Sequence, residues 1–184
     1  MRVNMTEIKK IASFTVDHDL LREGIYVSRV DGDITTYDLR TRVPNGGDYM
    51  DNVTMHTVEH MIATYIRSSR IGERVIYFGP MGCRTGFCLL VRDADSEEVL
   101  AVLCETLERV VAHEGRVFGD TPTECGNYRE LDLAAAKREC GRYLAVLRAK
   151  TNDFTYPSKA TGCTGGETAD EKKTTADRRK EAAV

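Results

Sequence analysis

Hydrophobic residues recur at helical spacing in three segments of this chain. The first can begin at Asn52 or Thr54, either of which suits a helix N-cap, and it ends near Ser68-Ser69 before Gly72. Its apolar stripe consists of Met55, Val58, Met61, Ile62, Tyr65 and Ile66. The spacing places all six on one face, so this segment is predicted to be an amphipathic helix.

The other two helical segments lie in the second half of the chain. One begins at Asp95, with Glu98 in position for a capping box, and its periodic apolar residues continue until Gly115. The other covers residues 133–149. Three clear helices are therefore expected.

Four shorter segments have the pattern of strands. Residues 25–30 and 34–40 flank the turn signal Asp31-Gly32-Asp33, which predicts a hairpin. Residues 74–78 and 87–91 flank a loop at 79–86 that contains three glycines. Strands joined by turns, with helices that do not alternate regularly with them, predict an α+β fold with an antiparallel sheet.

Length and composition indicate one domain followed by a tail. A chain of 184 residues with 41% hydrophobic residues can bury one core. From residue 157 onward the sequence is polar and lacks apolar periodicity. We therefore predict a single domain at residues 1–156 and a disordered polar tail at residues 157–184.

Charge, hydropathy and cysteine usage exclude several classes of partner. The net charge of -3, with basic and acidic residues interleaved, argues against a nucleic-acid partner. The longest apolar run, residues 87–91, is too short to cross a membrane. The six cysteines lack the spacing of a secreted disulfide scaffold. A cytoplasmic protein with reduced thiols is the expectation.

The first helix carries a candidate metal site along the edge of its apolar stripe. His56 and His60 are four residues apart and therefore neighbours on the helix surface, as two ligands of one ion must be. Glu59 lies beside them, where a carboxylate is a usual general acid or base. Two surface histidines on an amphipathic helix are the simpler interpretation, but Glu59 favours metal binding.

Two cysteines outside this helix are candidates for chemistry. Catalytic metal sites usually have three protein ligands and an open fourth position. Cys125, in a polar loop beside Gly126, is a candidate third ligand, and Glu124 is a weaker one. Cys83 lies in the glycine-rich loop, where it is either a reactive thiolate favoured by Arg84 or a nearby metal, or an incidental residue of a hairpin. Spacing alone assigns no role to His18 or Arg40.

In combination, these segments resemble S-ribosylhomocysteine lyases, the LuxS family. The matching segments are Ser13-Phe14 with Asp17-His18, Asp38-Leu39-Arg40 with Pro44-Asn45, His56-Thr57-Val58-Glu59-His60, Pro80-Met81-Gly82-Cys83-Arg84-Thr85-Gly86 and Glu124-Cys125-Gly126. Five matches in the same order are specific where any one of them is not. The resemblance extends over roughly residues 10 to 150.

The resemblance implies a cofactor, an assembly and a set of roles. It implies a homodimer with two active sites at the subunit interface, and one Fe²⁺ per subunit, with Zn²⁺ as a replacement. The implied metal ligands are His56, His60 and Cys125, the implied proton-transfer residues are Cys83 and Glu59, and the implied substrate contacts are Ser13, His18 and Arg40.

The implied reaction cleaves the thioether of S-ribosylhomocysteine to homocysteine and 4,5-dihydroxy-2,3-pentanedione, an autoinducer precursor. In that reaction the carbonyl group migrates along the sugar before β-elimination. Cys83 would move protons between carbons, and Glu59 would exchange protons with substrate oxygens.

Two other classes of protein could explain the histidine motif. His-x-x-Glu-His is also the signature of inverted-zincin peptidases, in which Glu59 would activate water, but that class leaves Cys83 and Cys125 without a role and expects a downstream glutamate ligand. A structural metal module would instead have a closed shell of four ligands, completed by a second thiolate such as Cys83.

Overall fold

The computed structural model describes residues 10–158. The sheet contains strands β1 (Gly24–Asp31), β2 (Ile34–Arg40), β3 (Val75–Pro80) and β4 (Gly86–Arg92). The helices are α1 (Asn52–Arg67), α2 (Ser96–Ala112) and α3 (Leu133–Ala149), with short 3₁₀ turns at Ala12–Phe14 and Gly72–Arg74. The prediction of a single α+β domain is confirmed. Apart from its first two residues, the predicted tail at 157–184 lies outside the described residues.

The four strands form one antiparallel sheet in the order β1-β2-β4-β3. The two hairpins therefore lie side by side, with β2 and β4 in the centre and β1 and β3 at the edges. Asp38 pairs with Cys88, and Arg40 with Gly86, which is how the end of β2 reaches the glycine-rich loop. The register of β1 on β2 shifts between Val27 and Arg29, as at a β-bulge.

The helices pack on one face of this sheet. Alternate residues of the central strands, Tyr37 and Leu39 in β2 and Phe87 and Leu89 in β4, are at most 1% exposed and join the core with apolar residues of all three helices. The predicted stripe of α1 is part of this contact, since Val58, Met61, Ile62 and Ile66 are buried. The intervening residues of β2, among them Asp38 and Arg40, point to the opposite face.

The first helix begins one residue earlier than the first of its two predicted caps, Asn52, would allow. Asp51 is the N-cap, because its carboxylate accepts hydrogen bonds from the Thr54 backbone N–H at 2.8 Å and the Thr54 hydroxyl at 2.7 Å. These bonds lower the pKa of Asp51, the backbone bond most of all. The prediction of Asn52 or Thr54 as the cap is therefore wrong, although the position of the helix is right. The Asp95 cap of α2 is confirmed.

No helix among residues 10–158 is long and apolar enough to cross a membrane.

Candidate active site

Helix α1 presents His56 and His60 on consecutive turns, with their ring centroids 4.5 Å apart. Burial of the apolar stripe fixes the rotation of the helix about its axis, so these side chains are held at the edge of the core rather than in bulk solvent. Both histidines are partly exposed. They are therefore fixed in position and accessible to a small ligand.

The loop between α2 and α3 brings Cys125 to the two histidines. The Cys125 Sγ atom lies 3.3 Å from His56 Nε2 and also accepts a hydrogen bond from the Asn127 N–H at 3.3 Å. One potential ligand atom from each of His56, His60 and Cys125 lies within 4.8 Å of the others. Among residues 10–158 this is the one such group.

Backbone carbonyl groups set the tautomer of both imidazole rings. His56 Nδ1 lies 3.1 Å from the Glu130 carbonyl oxygen, and His60 Nδ1 lies 2.7 Å from that of Phe118. A carbonyl group only accepts, so each Nδ1 carries the hydrogen and each Nε2 keeps its lone pair. Metal-binding histidines usually have this arrangement. Two imidazole nitrogens and one thiolate suit Zn²⁺ or Fe²⁺ and do not choose between them.

Gly119 supports His60 from the loop that also supplies Cys125. Its φ angle is 68°, which favours glycine, and a Cβ atom there would lie 3.2 Å from His60 Nδ1. The same contact would crowd the bond between His60 and the Phe118 carbonyl group. Gly119 is therefore part of the support of the ligand set.

Gly119→Ala is expected to lower Zn²⁺ affinity by about tenfold, because loss of a supporting contact to a ligand typically costs about 10–100-fold. Competition with a chromogenic chelator measures the affinity. Gly32→Ala is the matched control, since Gly32 has a φ angle of 60° in the β1–β2 turn and no atom within 4 Å of a built Cβ. Equal affinities for the two variants would contradict the role of Gly119.

Glu59 and Glu124, the two glutamates that the sequence made candidates, have different surroundings. Glu124 accepts a hydrogen bond from the Thr121 hydroxyl at 2.5 Å and is not part of the ligand group. Glu59 lies between the two histidines in the sequence, and its side chain is partly buried. Its carboxylate forms no hydrogen bond or ion pair with other described residues. Glu59 is thus available to a substrate.

The Cys83 loop is a tight turn held against the segment that precedes α1. Met81 N–H donates to the Gly86 carbonyl oxygen at 2.9 Å, and Arg84 adopts a φ angle of 61°. Met50, just before the N-cap of α1, donates its N–H to the Arg84 carbonyl oxygen at 3.1 Å. The loop and the histidine helix are therefore fixed relative to each other by backbone bonds.

Cys83 is an exposed residue whose thiol is partly buried and is electrostatically favoured as a thiolate. Burial alone would raise its pKa, but hydrogen bonds with the Thr85 side chain and backbone, followed by the Arg40 charge, outweigh burial and lower the pKa below its ordinary value. The Thr85 hydroxyl lies 3.0 Å from Cys83 Sγ, and Arg40 Nη1 lies 3.7 Å from it. The thiolate interpretation is the one that this geometry favours.

Arg40 reaches Cys83 from a buried ion pair. It is 3% exposed, and its Nε and Nη2 atoms donate to the two carboxylate oxygens of Asp38 at 3.1 and 2.6 Å. Its Nη1 atom donates to the Thr85 hydroxyl at 2.6 Å. The roles of Asp38 and Thr85 were not inferred from the sequence, although both belong to the matching motifs, and Asp38 has the strand spacing that places it on the same face as Arg40.

The remaining predicted substrate contacts lie in the N-terminal segment. Ser13 is exposed in the first 3₁₀ turn, and His18 Nδ1 lies 3.0 Å from the Val16 carbonyl oxygen. Within the described part of this chain, no hydrogen bond connects either residue to the metal ligands or to Cys83.

Comparison with known proteins gives one consistent result. The family model for S-ribosylhomocysteinase (LuxS) matches residues 11–153. An S-ribosylhomocysteine lyase of Desulfotalea psychrophila is 40% identical over 159 residues, which cover 82% of this chain and 100% of that protein. The S-ribosylhomocysteine lyase of Phocaeicola vulgatus is 44% identical over 160 residues, which cover 83% of this chain and 99% of that protein. The S-ribosylhomocysteine lyase of Borreliella burgdorferi is 40% identical over 157 residues, which cover 82% of this chain and 100% of that protein.

Proposed function

Because this chain belongs to the S-ribosylhomocysteinase (LuxS) family of carbon–sulfur lyases, we propose that it cleaves the thioether of S-ribosylhomocysteine to homocysteine and 4,5-dihydroxy-2,3-pentanedione. The observation that carries this proposal is the division of the two cysteines between two tasks. Cys125 joins two histidines in one ligand group, while Cys83 is stabilised as a thiolate by Thr85 and Arg40. This division supplies both a cation site and a separate proton carrier.

The proposed proton transfers use two side chains, Cys83 and Glu59. A divalent cation held by His56, His60 and Cys125 would supply Lewis-acid chemistry at the sugar carbonyl groups. The Cys83 thiolate takes a proton from one substrate carbon and returns it to the neighbouring carbon, which moves the carbonyl group along the sugar. Glu59 exchanges protons with the substrate oxygens.

The final step is a β-elimination. Removal of a proton from the carbon next to the carbonyl group forms a carbon–carbon double bond as the carbon–sulfur bond breaks. The electron pair of that bond leaves with homocysteine as a thiolate. The proposed series of reaction steps therefore needs no oxidant or reductant.

The cofactor and assembly are further parts of the proposal. Fe²⁺ is the proposed ion, with Zn²⁺ as a replacement, since imidazole and thiolate ligands accept both. We propose a homodimer in which Ser13 and His18 complete the site across the interface, because neither is bonded to the site within the described part of one chain. Arg40 would face the substrate from beside Cys83. The cytoplasm is the proposed compartment, because Cys83 and Cys125 must remain reduced.

The peptidase and structural alternatives are less well supported. An inverted zincin needs a downstream glutamate ligand, whereas the ligand group contains Cys125, and Glu124 is bonded to Thr121. A closed structural shell needs a fourth ligand, and Cys83 bonds with Thr85 and Arg40 rather than with the group.

Thiol release from S-ribosylhomocysteine tests the proposal directly. Protein loaded with Fe²⁺ without oxygen, or with Co²⁺ as a stable substitute, is expected to release one thiol per substrate molecule. Chelator-treated protein should lose this activity and regain it when the ion is restored. If folded protein with one ion per chain releases no thiol, that result contradicts the lyase assignment.

A further inference from the structure

The segment after α3 returns to the sheet and covers the edge of β1. Val27 N–H donates to the Phe154 carbonyl oxygen at 2.8 Å, and Tyr26 pairs with Phe154 in an isolated parallel bridge. Two residues later, the ring of Tyr156 stacks on that of Tyr26, with centroids 5.2 Å apart and planes 17° apart. Tyr156 lies beyond residue 153, where the match to the family model ends.

The hydroxyl group of Tyr156 binds the buried carboxylate beside the active site. It donates to Asp38 Oδ2 at 3.0 Å, the same oxygen that accepts from Arg40 Nη2 at 2.6 Å. Asp38 is 4% exposed, so little water is available to replace a lost donor. Within the described residues, Tyr156 and Arg40 are the two side chains that donate hydrogen bonds to the Asp38 carboxylate.

The same guanidinium group connects Asp38 to Cys83. One edge of Arg40, formed by Nε and Nη2, binds Asp38, and Nη1 on the other side binds Thr85 and lies near Cys83. Because the guanidinium group is rigid and planar, a carboxylate that fixes one edge also fixes the direction of the other.

We propose that Tyr156 is a positioning residue for the lyase reaction, which holds Asp38 so that Arg40 directs its free edge at Cys83. The proposal rests on the role proposed above for Cys83 as the proton carrier. It assigns a function to a residue in the returning C-terminal segment, which contacts neither the metal ligands nor Cys83.

The direction of the effect follows from charge. Without the Tyr156 hydroxyl, Asp38 Oδ2 depends on Arg40 alone, and the guanidinium group shifts toward the carboxylate and away from the thiol. The thiolate then loses part of its stabilisation, so the pKa of Cys83 rises. Burial, followed by the charge of Asp38, raises the pKa of Tyr156 itself, which keeps its hydroxyl a donor at neutral pH.

Three other titratable side chains lie near this network. Asp38 also acts electrostatically on the side chains of Tyr26, Cys88 and Tyr143. Burial raises the pKa of each of these three groups above its ordinary value. All three therefore stay neutral near pH 7 and do not mask a change at Cys83.

Tyr156→Phe in the full-length protein tests the proposal, because it removes the hydroxyl and keeps the stacked ring. The rate of Cys83 alkylation by iodoacetamide, followed by mass spectrometry of the Cys83 peptide across pH, gives the pKa of the thiol. We expect this pKa to rise by about half a unit, which is about a threefold change in proton affinity. The acidic limb of the kcat/KM profile should shift equally, with unchanged metal content.

Tyr26→Phe is the matched control. It removes a hydroxyl from the same stacked pair, but that hydroxyl donates to the Arg22 carbonyl oxygen at 2.9 Å and not to Asp38. A shift in Tyr156→Phe alone supports the proposal, while no shift, or equal shifts in both variants, overturns it. Alkylation requires no turnover, so this result is distinguishable from a failure of the lyase assignment.

Discussion

Replacing Cys83 with alanine is expected to lower turnover of S-ribosylhomocysteine by at least about a thousandfold. A general acid or base contributes about 10²–10⁴-fold to a reaction rate, and Cys83 is proposed to act in more than one proton transfer. Metal content should stay near one ion per chain, since Cys83 is not part of the ligand group. Thiol release under saturating substrate gives the rate, and elemental analysis gives the metal.

The control for this variant is Cys104→Ala. Cys104 is partly buried on α2, where burial raises the pKa of its thiol, so it is a protonated side chain against the core. Its replacement should leave turnover within about threefold, because alanine is well tolerated in a helix. Loss of the metal from Cys83→Ala would instead favour the closed structural shell, and nearly normal turnover would remove Cys83 from the mechanism.

Cys125→Ala is expected to have a comparably large effect for a different reason. It removes one of three ligands, and the loss should exceed the roughly 10–100-fold change in affinity that follows loss of a supporting contact. The protein should therefore bind Zn²⁺ at least about a hundredfold more weakly and release almost no thiol at limiting metal. Chelator competition and the turnover assay measure the two effects separately.

Thr123→Ala controls for damage to the loop that carries Cys125. Its side chain is exposed, and among residues 10–158 its hydroxyl bonds with that of Thr121 alone. This variant should bind metal normally. If Cys125→Ala also retained normal affinity, Glu124 or another group would have to be the third ligand, and the peptidase interpretation would regain support.

Much of the fold could be predicted from local patterns in the sequence. The residues 34–40 and 133–149 were predicted with the bounds that β2 and α3 have, because turns and periodic apolar residues define both. The cap of α1 was misplaced because Asn52, Thr54 and Asp51 are all good caps, and only the backbone conformation selects among them.

The sequence motif predicted the two histidine ligands, but it did not predict the backbone groups that orient their rings. His56 and His60 are four residues apart on one helix, so their proximity follows from helical geometry. The Glu130 and Phe118 carbonyl groups that orient them could not be inferred, because a backbone carbonyl has no side-chain signature and these lie 74 and 58 residues away in sequence.

The order of the strands and the burial of Arg40 also depend on tertiary structure. The sequence predicted two hairpins but not that β2 and β4 would pair in the centre of the sheet. Asp38 and Arg40 have the spacing of one strand face, which was a usable signal for an ion pair. Their burial could not be inferred from this spacing, because Tyr156, which bonds with Asp38, lies 118 residues later in the sequence.

The irregular edge of β1 has a consequence for association between chains. An exposed, regular edge strand offers a row of unpaired N–H and C=O groups to any other strand. Here the register shift between Val27 and Arg29 interrupts that row, and the Phe154 carbonyl group occupies the Val27 N–H. We therefore expect this edge of β1 to be a poorer template for pairing with a strand of another chain.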